Sequence, residues 1–267
     1  MFGSDFWAAG KGWLYPSEKQ YGFWRAVGFF VLLFLLFQLL QIIITLLIYS
    51  LGFHESLMVL KDPALVRSPA MLKALIIAMF PAAIPILFLG LYLAQFGLPK
   101  RQGSLPLARP KLGMLGWVTI IFCFMVVMGV LLNGAYWITG FDTLHETGLI
   151  EKTMAEMRSD PTIYALTLPS IILAAPLAEE LLFRGVLFAG LTNTVVGRTG
   201  AVIITSALWS LAHAGPAPWI NVGLIFVMGL VLGVLLLRFG SLWVTIACHT
   251  AWNAMTALAI FAVSTPQ

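Results

Sequence analysis

Charge is what this sequence has least of. Acidic and basic residues make up 10% of its 267 residues, 15 Lys and Arg against 11 Asp and Glu, where soluble domains carry about 25%. With a mean hydropathy of +0.97, that deficit argues against a soluble enzyme and for a chain crossing a membrane several times. Cysteine is scarce too. Cys123 and Cys248 both lie in apolar runs, so a disulfide framework is not expected. No tract of Lys and Arg is present, and the net charge of +4 is read as membrane orientation, with no nucleic-acid partner. There is no low-complexity segment, no internal repeat and no cleavable signal peptide. The first apolar run, 26–53, is too long for a signal peptide.

What is present is a series of apolar runs, each with room for the roughly 20 residues of a membrane helix. Residues 1–25 mix Trp7, Trp13, Tyr15, Tyr21 and Trp24 with Lys11, Lys19 and Arg25, the composition of an interfacial segment. Three N-terminal spans are expected within 26–140, in the runs 26–53, 74–99 and 112–140. Pro81 and Pro85 suggest a kink in the second that makes room for a cavity. Residues 141–160 form an acidic, extracytoplasmic loop, with a short amphipathic helix expected around 148–158. The last spans fall in 161–263, with a turn at Gly215-Pro216-Ala217-Pro218 and bends or breaks at Pro169 and Pro176. The fold expected is all-α, a polytopic bundle of about 7–8 spans around a mid-membrane polar cavity. With the N-terminus in the cytoplasm, Lys11, Lys19, Arg25, the 100–111 loop, Arg198 and Arg238 all lie inside. Loop 54–73, with Lys61, Arg67 and Lys73, is the misfit. The simplest setting for so compact a chain is the plasma (inner) membrane of a prokaryote.

The polar residues that remain inside the spans carry the chemistry. Between Pro161 and Gly197 the only charges are Glu179, Glu180 and Arg184. A charge at mid-membrane costs about 2.5–3.5 kcal/mol on insertion scales, so three in six residues call for a function. Glu180 and Arg184 are four apart and can pair on one helix face. Glu179 is turned about 100° away and is left as a spare carboxylate, suited to general-base work. Further on, His213 follows Trp209 by four and His249 precedes Asn253 by four. At 1.5 Å per residue Glu179, His213 and His249 come to lie about 18, 20 and 13 Å in from the same side. A carboxylate and a His can hold and deprotonate a water; a His and an Asn amide can donate to an oxyanion. No serine has a nucleophile-elbow context, and Cys248 reads as a packed thiol. Glu179, His213 and His249 are also a plausible zinc set by residue type, although the His-Glu-x-x-His helix is absent.

The ordered set Glu179-Glu180-x-x-x-Arg184, Trp209-x-x-x-His213 and His249-x-x-x-Asn253 resembles the CPBP family: type II CAAX prenyl endopeptidases and bacteriocin-processing and immunity proteins. Phe226-x-x-Gly229-x-x-x-Gly233 resembles a further family motif whose small residues let helices pack closely. The resemblance covers about 160–255. It implies an intramembrane endopeptidase in which Glu179 and His213 activate water, His249 and Asn253 stabilise the oxyanion, and Glu180 and Arg184 support the site. Trp209 departs from the family's usual Phe and bears on packing or pocket shape. No cofactor is expected, with zinc the alternative. The implied partners are the bilayer and a peptide or protein substrate, lipidated or not. Two other readings stand beside it: a non-catalytic immunity or scaffold protein of the same fold, and a proton-coupled carrier, against which the lack of an inverted repeat argues.

Overall fold

The computed structural model describes residues 22–57, 61, 68–95, 105–140, 160–192, 194–214 and 219–263. Most of the interfacial segment 1–25, the 148–158 helix with nearly all of the acidic loop, and the 215–218 turn lie outside the described residues.

The described residues form seven helices and no strand. α1 is Phe23–Leu47, prolonged by a π-helical turn at Ile48–Gly52. α2 is Pro69–Gln95, α3 is Met114–Thr139. α4 is one unbroken run made of Pro161–Pro169, Ser170–Ala174, Ala175–Glu179, Glu180–Leu187 and Phe188–Leu191. α5 is Gly197–Ala212, α6 is Trp219–Phe239 and α7 is Leu242–Val263. These limits follow the apolar runs within a few residues. Pro81 and Pro85 sit inside a continuous α2. Pro169 and Pro176 do not break α4 either; the run instead shifts to π spacing at Ser170–Ala174 and again at Glu180–Leu187. Asp160 caps the start of α4, accepting from the N–H groups of Thr162 and Ile163.

Four helical runs are long and apolar enough to cross a membrane: Phe23–Gly52, Pro69–Leu93, Met114–Thr139 and Trp219–Phe239. They are apolar all round, and large side chains such as Leu35, Ile42, Phe122 and Val130 are exposed outward, as lipid-facing positions require. The other three, α4, α5 and α7, carry most of the buried polar side chains. The seven or eight spans expected from the sequence would require these three to cross as well. α4 is the centre of the bundle. α1 and α2 pack on one side of it, α5 and α7 on the other, and every residue from Glu180 to Leu191 is buried.

Close helix approaches fix this arrangement, as they must where lipid is as apolar as the helices themselves. A Cβ on Gly190 would collide with Ala26 of α1. On Gly229 one would lie 2.8 Å from Ser206 Cβ, and on Gly233 2.9 Å from Val202. The glycine motif therefore joins α6 to α5. The contacts also order the ends. Gly190 places the start of α1 beside the end of α4. Leu242 N donates to Pro106 O at 2.8 Å and Trp243 Nε1 to Leu107 O at 2.9 Å, so the loop before α3 sits on the start of α7. Arg25, Arg109, Lys111, Arg198 and Arg238 thus share one end of the bundle, while Glu55, Lys73 and Asp160 line a pocket at the other.

Gly190→Ala and Gly229→Ala are expected to lower stability by about 1–3 kcal/mol through overpacking. Gly28, whose Cβ would meet nothing within 4 Å, supplies the control. Thermal denaturation in detergent checks this, with Gly28→Ala unchanged.

Candidate active site

α4 brings two carboxylates to the middle of the bundle and gives them different surroundings. Glu180 is fully buried. Its Oε1 accepts from Arg184 Nη1 at 3.0 Å, one helical turn on, and from His249 Nδ1 of α7, also at 3.0 Å. Arg184 is itself fully buried, with its guanidinium 4.3 Å from the centre of the Trp209 ring, a cation–π contact in a water-poor setting. Glu179 remains 18% exposed. The indole N–H of Trp209 donates to its Oε2 at 2.6 Å. His213 Nε2 lies 3.8 Å from Oε1, and His249 Nε2 lies 3.9 Å from Oε2. Spacing of four on one helix face accounts for the Glu180–Arg184 pair, while the histidines divide: His213 faces Glu179, and His249 faces both carboxylates.

α5 ends at the site. At 16 residues it is about 24 Å long, short of a hydrocarbon layer of about 30 Å. His213 is its C-cap, at φ −95°, ψ 0°, the bridge conformation in which many active-site residues sit. Its Nδ1 lies 2.8 Å from the carbonyl of Trp209. A carbonyl only accepts, so Nδ1 donates to it and Nε2 faces Glu179. The same logic at His249, whose Nδ1 faces a carboxylate, makes that nitrogen a donor. Trp209 stands edge-on to both rings, with centroids 5.3 Å apart in each case.

The structure therefore brings together Glu179, Glu180, Arg184, Trp209, His213 and His249 from three helices. Asn253, one turn beyond His249, is engaged elsewhere: its Nδ2 donates to the carbonyl of Ile171 at 2.9 Å. Cys248 is buried and Cys123 exposed. Two features escaped the sequence reading. One is the second role of Glu180, as acceptor for His249. The other is Trp209 as a hydrogen-bond donor to Glu179, which the usual Phe could not be. The signal for it was present, since an indole four residues before a histidine shares its helix face.

The zinc alternative fits poorly. The histidines approach opposite oxygens of Glu179, and Oε2 already receives the indole N–H. Among the described residues no group of three or more His, Cys, Asp or Glu is arranged to hold a metal ion. A cavity of about 690 Å³ lies between α3, α4 and α7, and none of the six clustered residues lines it. Leu173, Leu177, Trp117, Ile246 and Thr250 line it, and Arg109 stands at the basic end of the bundle.

Residues 161–255 match the family described as type II CAAX prenyl endopeptidase Rce1-like. No curated protein and no solved structure matches the chain.

Breaking the buried pair leaves an uncompensated charge, which costs about 3–5 kcal/mol. Glu180→Gln and Arg184→Ala are accordingly expected to lower folded yield and melting temperature. Wild-type stability in both, measured by thermal denaturation in detergent, would remove the structural role assigned to the pair.

Proposed function

From the premise that this chain carries, in residues 161–255, a domain of the CPBP family of intramembrane endopeptidases, we propose that it hydrolyses peptide bonds with a water activated by Glu179 and His213. The observation that carries this reading is the approach of His213 Nε2 to Glu179 Oε1, 3.8 Å apart. With the His213 proton on Nδ1 alone, a water donating one hydrogen to each directs its lone pairs away from both, toward a substrate carbonyl. Trp209 fixes the other carboxylate oxygen and so leaves Oε1 to take the proton. As the water oxygen bonds to the carbonyl carbon, its proton passes to Glu179. The same proton goes to the amine nitrogen as the C–N bond breaks, giving a carboxylic acid and an amine. The oxyanion formed between these steps is met by His249 Nε2, when its ring holds both protons, and by the second amide hydrogen of Asn253.

The substrate is a peptide or membrane-associated protein, lipidated or not. The cavity between α3, α4 and α7 suits its apolar side chains: its wall includes Leu177 and Thr250, two residues from Glu179 and one from His249. We place the basic end of the bundle in the cytoplasm by the positive-inside rule, which puts the N-terminus there too, in the plasma membrane of a prokaryote.

Glu179→Ala, His213→Ala and His249→Ala are expected to abolish turnover with membrane insertion intact. Trp209→Phe, which keeps the aromatic packing but not the N–H, is expected to lower it about tenfold or more through loss of orientation. The first experiment compares peptide termini in membranes of cells carrying wild-type or Glu179→Gln protein at equal expression. New termini with wild type alone support the reading and give the substrate and cut position. Identical profiles with the substrate pool expressed favour a non-catalytic immunity or scaffold role. Loss of turnover to a chelator, restored by zinc, would replace the metal-free mechanism.

A further inference from the structure

The carbonyl that Asn253 engages has lost both of its donors within α4. In α spacing Ile171 would receive the N–H of Ala175, but Ala175 donates to Ser170, five residues back. In π spacing the next donor would be residue 176, which is Pro176 and has no N–H. The amide of Asn253, from α7, supplies the missing hydrogen bond at 2.9 Å.

We propose that Asn253 is a positioning residue whose amide clamps the π-turn Ser170–Ala174 and so sets the rotation of Glu179 toward Trp209 and His213. A π-turn adds one residue to the helical ladder, and one residue is about 100° of rotation. Glu179 stands eight residues beyond Ile171 on the same helix. If the turn relaxed to α spacing, the part of α4 that carries Glu179 would turn relative to the part that precedes the turn. Pi-turns recur at functional sites because they aim side chains that a regular helix would not. Here the turn is held from outside by the helix that also carries His249. The donation to Ile171 is independent of the peptidase reading. Its catalytic consequence rests on that reading, and it adds to any direct contact of the second amide hydrogen with the oxyanion.

The test uses a proline that can be undone. Asn253→Ala removes the outside donor; Pro176→Ala returns an N–H to the ladder that Ile171 can accept. Two quantities are read on the full-length protein in detergent: amide hydrogen exchange in peptides covering 171–180, and kcat and KM on the substrate found by the comparison of termini. Asn253→Ala is expected to speed exchange and to lower kcat by about 10²-fold with KM little changed, as misplacement of a reacting group does. The double variant is expected to return exchange toward wild type and to recover about tenfold or more of the lost kcat. Unchanged exchange in Asn253→Ala, or exchange that Pro176→Ala does not slow, overturns the clamp. Exchange that recovers without kcat overturns the positioning role and leaves Asn253 acting only at the oxyanion. Should Pro176→Ala not fold, Asn253→Asp replaces it. That change keeps the volume and removes the donor, so unchanged exchange would overturn the clamp. If no substrate is found, the exchange measurements still decide the clamp while the peptidase reading fails separately.

Discussion

Glu180 Oε1 is the atom on which the interior of this protein depends. It takes hydrogen bonds from Arg184 within α4 and from His249 across α7, both at 3.0 Å. A fully buried carboxylate left alone in such a place would cost several kcal/mol. Each partner in turn shapes the neighbouring site. Arg184, held by Glu180, lies over the Trp209 ring, and Trp209 holds Glu179. His249, held at one nitrogen by Glu180, turns the other toward Glu179. The carboxylate that does no chemistry in the proposed mechanism thus determines the surroundings of the one that does.

The bundle divides along the same line. α1, α2, α3 and α6 are apolar all round and meet lipid. Thr45 of α1 and Ser241 apart, the buried polar side chains among the described residues lie on α4, α5 and α7, which converge at the candidate site. The closest approaches between the two groups are made at small residues: Ala26 against Gly190 joins α1 to α4, and Gly229 against Ser206 joins α6 to α5. Without a hydrophobic force between helices, close packing of this kind holds the scaffold, and the charged network sits inside it.

Much of this could be read in the sequence because the helical repeat is a strict ruler. Apolar runs gave the helices to within a few residues. Spacing of four paired Glu180 with Arg184, and counting along the helices put Glu179, His213 and His249 at matching depth. What could not be read was rotation. Pro169 and Pro176 announced an irregularity in α4, but proline removes a donor without saying how the ladder will close. Here it closed by a π-turn and not by a break. Asn253 was legible as a polar residue on the His249 face, yet its donation to Ile171 depends on that turn. The indole bond to Glu179 needed the relative height of α4 and α5, which close packing at glycines sets and periodicity does not.

The shortness of α5 bears on how the protein meets its bilayer. A helix about 24 Å long packs beside α6, whose 21 residues span about 31 Å, and His213 caps its end. A helix shorter than the hydrocarbon layer is accommodated by a thinner bilayer around it. In the proposed mechanism, hydration of Glu179 and His213 is then a property shared between protein and membrane. Shorter acyl chains would bring the aqueous phase closer to His213, longer ones withdraw it, and the lipid composition would set the supply of the second reactant.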